Sequence, residues 1–98
     1  MIYLQTATFA PRVGEAFDVS LGEASAPLTL VEVRPLPPAP TFAGAVRAPF
    51  SLLFRSASPV VLPQKLYRLQ NAALGALNIF LVPVARDSGG IVYEAVFN

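Results

Sequence analysis

No cysteine, histidine or tryptophan occurs among the 98 residues, and only 13% of the side chains are charged. Without cysteine there is no disulfide, no thiol nucleophile and no thiolate metal ligand. Without histidine the chain lacks the commonest general base near neutral pH and the commonest transition-metal ligand. No metal or other cofactor is therefore expected. The seven basic and six acidic residues are interspersed and sum to a net charge of +1. No basic stripe exists to neutralise a row of phosphates, so nucleic acid is not an expected partner. Long apolar runs are missing as well. The longest, from Ile79 to Ala85, falls far short of the ~20 residues that cross a membrane. The first ten residues have neither the positive start nor the apolar centre of a secretory signal. The default expectation is thus a cytoplasmic protein, with an extracellular or phage-like assembly as the other possibility.

Apolar side chains are what the chain has in excess, at 54%, against roughly 45–50% in typical soluble domains. The length suits one β domain over residues 1–98 with a single continuous core. Two readings of the apolar surplus compete. Either both faces of the sheet are buried within the domain, or part of the apolar surface is covered by another chain.

Strand patterns dominate, and no segment shows a helical period. At the C-terminus, Leu77 to Val84 and Ile91 to Phe97 flank the turn formers Asp87-Ser88-Gly89-Gly90, a strong hairpin signal. Both faces of the last strand are largely apolar, as in a covered strand. Further alternating runs are Leu28 to Arg34, Phe50 to Arg55, Lys65 to Gln70 and Ala16 to Leu21, with a turn over Asn71-Ala72-Ala73-Leu74-Gly75. Met1 to Phe9 reads as another strand, uncharged and free of proline, hence an unprotected edge. Pro27, Pro49 and Pro83 sit where they would blunt edges. Four prolines between Pro35 and Pro40 open an irregular stretch reaching Pro49, either a stiff crossover or a contact surface. The predicted fold is all-β: a small antiparallel β-sandwich or partly open β-barrel of about six strands.

Catalytic constellations are thin. Glu32 and Glu94 are the only acids in mid-strand positions, and a paired-carboxylate site would have to use them. Each is better accounted for by a cross-strand arginine such as Arg34, Arg55 or Arg68. The serines have no histidine beside them, the glycines are too sparse to cradle a phosphate, and Asp87-Ser88-Gly89-Gly90 lacks the alternating oxygen ligands of a calcium loop. No catalytic, cofactor-binding or metal-binding residue is assigned.

The runs Phe50-Ser51-Leu52-Leu53-Phe54-Arg55, Leu62-Pro63-Gln64 with Tyr67 and Leu69, Ile79-Phe80-Leu81-Val82-Pro83-Val84 and Tyr93-Glu94-Ala95-Val96-Phe97-Asn98 resemble a family of small bacterial all-β proteins of unknown function. The opening Phe9-Ala10-Pro11 with Val13, Gly14 and Phe17 is similar to that family's start. The resemblance brings no activity, ligand or site residue. It implies accessory components of phage-tail-like or fibre-like assemblies. The expected function is accordingly a non-enzymatic structural module that binds copies of itself or a larger protein assembly. Its expected contacts are Ile2, Tyr3, Leu4 and Phe9 on the N-terminal segment and Leu36 and Phe42 on the proline-rich stretch. The alternative is a barrel holding a small apolar ligand among Phe17, Phe50, Phe54, Phe80 and Phe97.

Overall fold

The computed structural model describes residues 4–37 and 49–97. Six strands form: β1 (Ala16–Leu21), β2 (Ala24–Pro35), β3 (Phe50–Ser56), β4 (Lys65–Asn71), β5 (Gly75–Asp87) and β6 (Gly90–Phe97). Each is a run in which apolar residues alternate, and Gly22 and Gly89 sit in the β1–β2 and β5–β6 turns. The order β1-β2-β3-β6-β5-β4 closes on itself as an antiparallel barrel. The closing seam is short, with Asp18↔Gln70 and Val19↔Leu69 as its register pairs. The all-β reading holds, and the arrangement adopted is the barrel.

Two local devices bend the sheet far enough to close it. Strand β2 carries a bulge between Leu30 and Glu32, so Leu30 and Val33 both face inward although they are three residues apart. Strand β5 changes partner along its length. It pairs with β4 up to Lys65↔Leu81 and with β6 from Val82↔Glu94 onward, with a second bulge between Pro83 and Ala85. Such bulges add twist and let a strand turn a corner. Pro83, which has no N–H to donate, sits in this irregularity within β5 and not at a strand end. Pro27 lies in β2 opposite Asp18, before β3 begins to pair at Thr29↔Arg55. A ladder bond is not required of it there.

Inward-facing residues fill the barrel. Phe17, Leu28, Phe50, Leu52, Phe54 and Tyr93 are each fully buried, and Phe17 meets Phe54 edge-on with ring centroids 5.3 Å apart. Both ends are closed. At one end the segment before β1 forms a short helix, α1 (Thr6–Phe9), and then a 3-10 turn, Ala10–Arg12. The Gln5 N–H donates to Thr8 Oγ1 (3.1 Å) and the Thr8 N–H to the Gln5 carbonyl (2.9 Å), which starts the helix. Pro11 cannot extend it. Phe9 projects from this plug into the barrel, with centroids 6.4 Å from Phe17, 6.1 Å from Phe50 and 5.8 Å from Phe97.

At the other end, residues 57–64 cross from β3 to β4 and are held by two tyrosines. The Tyr93 hydroxyl accepts the Leu62 N–H at 2.9 Å, and the Tyr67 hydroxyl donates to the Pro63 carbonyl at 2.6 Å. Burial pushes the Tyr67 phenol pKa up.

The expected N-terminal edge strand does not form over its described part. Thr6–Phe9 is helical and Phe9 is entirely buried. Its uncharged, β-branched and aromatic composition suits a strand locally. Burying one aromatic ring in the open mouth of the barrel outweighs that preference, at about 1.5–3 kcal/mol for a side chain of this size.

Candidate functional site

Of the contacts expected from sequence, Leu4, Phe9 and Leu36 fall among the described residues. Phe9, expected at an interface, is a fully buried core residue. Leu4 is half-buried and packs against the core. Leu36 is half-buried, and its N–H donates to the Pro49 carbonyl at 3.0 Å, clasping the two ends of the proline-rich stretch. Ile2, Tyr3 and Phe42 lie outside the described residues. The aromatics expected to line an apolar chamber separate as well. Phe17, Phe50 and Phe54 pack into the core, and Phe97 stacks on Phe50 at 4.8 Å. Phe80 points away from the interior and is 50% exposed.

The two mid-strand acids lie on the outside of the barrel. Both are level with Leu53, one on each side, through Glu32↔Leu53 and Leu53↔Glu94. Two strand spacings of about 4.8 Å therefore separate their backbones. Glu32 is engaged by Arg34 on its own strand, Nε to Oε2 2.9 Å, and this contact raises the Arg34 pKa. Arg55 instead binds Asp87 at 2.7 Å. The Gly89 N–H and the Arg55 guanidinium together hold the Asp87 carboxyl below its ordinary range. Asp87 thus serves the β5–β6 turn. Gly90 is required in that turn: its φ is +124°, and a Cβ there would overlap the Ser56 carbonyl oxygen. Arg68 and Glu94 form no ion pair among the described residues.

An open groove of about 580 Å³ lies where the helical plug meets β1 and β4, lined by Arg12, Glu15, Asp18, Gln70 and Asn71 among others. Much of its polar capacity is spent internally. Arg12 binds Glu15 at 3.0 Å, and Asn71 Nδ2 donates to Glu15 Oε1 and to the Ala16 carbonyl. Asn71 Oδ1 accepts the N–H groups of Ala73 and Leu74. The groove is a structural joint. No cluster of three residues able to hold a metal ion occurs among the described residues, and no described helix is long and apolar enough to cross a membrane.

The feature without an internal explanation is the outer face of β4, β5 and β6. Leu66 and Phe80 are direct cross-strand partners, yet they are 58% and 50% exposed. Val82 follows Phe80 on the same face, opposite Glu94. Val96, two residues past Glu94 on the outer side of β6, is 52% exposed. Water therefore meets a paired Leu66 and Phe80, and Val96 on β6, on the outer wall. The Leu66–Phe80 pair went unread in the sequence, although one signal was present. A turn over Asn71 to Gly75 fixes the β4–β5 register, and that register pairs Leu66 with Phe80 on the face opposite Leu69 and Ile79.

The molecule is thus a small antiparallel β-barrel, closed at both ends and carrying an apolar stripe on its outer wall. A family profile described as Domain of unknown function (DUF6916) matches residues 4–97, and the chain belongs to that family. No curated protein and no solved structure is detectably similar to it.

Proposed function

We propose that the domain is a non-enzymatic assembly module that binds copies of itself, or a larger phage-tail-like or fibre-like protein assembly, through the outer face of β4, β5 and β6. The observation that carries this reading is the solvent-facing Leu66–Phe80 pair, extended by Val96. A contiguous apolar patch rimmed by polar residues marks a protein interaction site more often than a random surface does. Two further observations support the face over other parts of the molecule. The interior is occupied by the chain's own rings, leaving the wall as the place to bind. The free strand edges are also blunted, β2 by Pro27 and β5 by Pro83 and its bulge, which disfavours edge-to-edge strand addition.

The test is Phe80→Lys, a change on an exposed position that leaves the core intact. Light scattering and electron microscopy of the wild type at high concentration are expected to show species larger than one chain, or a partner retained on pull-down. The variant is expected to be a folded monomer, with unchanged circular dichroism, that retains no partner. A wild type that stays monomeric at every concentration and recovers no partner refutes the reading.

A further inference from the structure

The apolar stripe sits between two charges of opposite sign. Along β5 the residues Asn78, Phe80 and Val82 point outward in turn, about 6.7 Å apart. Arg68 lies beside Asn78 on β4, and Glu94 lies beside Val82 on β6. Leu66 lies beside Phe80 on β4, and Val96 follows Glu94 on the outer side of β6. The two charges are thus placed symmetrically about Phe80, a cation and an anion at opposite corners. Arg68 is exposed and Glu94 is half-exposed, and neither has an ion-pair partner among the described residues. Arg34, the cation that feels the field of Glu94, gives its Nε to Glu32.

A face with this arrangement is complementary to itself. Consider a two-fold axis lying in the contact plane, passing through Phe80 and perpendicular to the Arg68–Glu94 diagonal. It brings Phe80 onto Phe80, Arg68 of one copy onto Glu94 of the other, and Glu94 onto Arg68 in return. Resting on the assembly reading above, we propose that the occupant of this face is a second copy of the chain, bound as a closed two-fold dimer with reciprocal Arg68–Glu94 pairs around a Phe80 centre. Had both corners carried the same sign, the same two-fold would be repelled. The symmetric contact also closes on itself, so it ends at two copies and does not grow into a filament.

Sedimentation velocity of the full chain tests this. The wild type is expected to be a reversible dimer that weakens with added salt. R68E alone and E94R alone each place like charges together twice per dimer, and each is expected to weaken association by about tenfold or more. An equimolar mixture of the two variants is expected to recover wild-type association, because both charge pairs re-form across one heterodimer. The double variant R68E/E94R is expected to recover it alone. A monomeric wild type, open-ended polymers, or a mixture no tighter than its components would overturn the two-fold dimer. If F80K abolishes association while the charge variants leave it unchanged, the two-fold register is wrong and the outer-face reading stands. If F80K has no effect on a wild-type dimer, the outer-face reading fails with it.

Discussion

Among the described residues, the Asn71 side chain gathers four hydrogen bonds. It is 2% exposed, and both its amide nitrogen and its oxygen are used twice. Its oxygen organises the β4–β5 turn, and its nitrogen ties that turn to Glu15 and the start of β1. Asn71→Ala removes all four of these hydrogen bonds from a buried side chain. The expected cost is about 1–3 kcal/mol, read from the shift in urea midpoint at unchanged slope. Asn71→Asp keeps the acceptor but sets a carboxylate against Glu15, so it is expected to recover little of the loss.

At the scale of elements, the helical plug matters more than its length suggests. Four residues of α1 and one 3-10 turn have almost no helical stability of their own. The plug is held by what it inserts and by its tether. Phe9 fills the barrel mouth, while the Gly14 N–H donates to the Leu30 carbonyl and the Leu30 N–H to the Glu15 carbonyl. Phe9→Ala is expected to cost about 3–5 kcal/mol, the range for truncating a buried phenylalanine. Thermal denaturation checks this, with the near-ultraviolet signal of the ring cluster as a second readout. Loss of association without loss of stability would show instead that Phe9 faces a partner.

For the molecule as a whole, the ladders are uneven. Strands β3 and β6 pair over their full shared length, from Phe50↔Phe97 to Ser56↔Ile91, whereas the β1–β4 seam has two register pairs. The β1–β2 hairpin beyond Val19 and Thr29 has neither β4 nor β3 in register beside it. Amide hydrogen exchange should therefore be slowest for the β3–β6 amides that bond across that ladder, exchanging only on global unfolding. It should be fastest at residues 20–26 of the hairpin tip. Uniform protection around the barrel would contradict this ranking.

Five of the six strands were legible in position because their apolar residues alternate, and the sixth, the C-terminal β6, was the clearest of all from its glycine turn. The class of fold followed from that alternation, since period-two runs joined by short turns can bury a face only by packing sheet on sheet or by closing a sheet. Sequence could not decide between those two outcomes. Closure depends on the bulges in β2 and β5 and on β5 changing partners, and these are set by packing over the whole ring. The same limit explains the interaction face. Alternation places Phe9 and Phe80 equally well inside or outside, because a side chain's partner is chosen by neighbours distant in sequence. Only the closed barrel, whose mouth is filled by the plug, draws Phe9 inward and leaves Phe80 beside Leu66 in solvent.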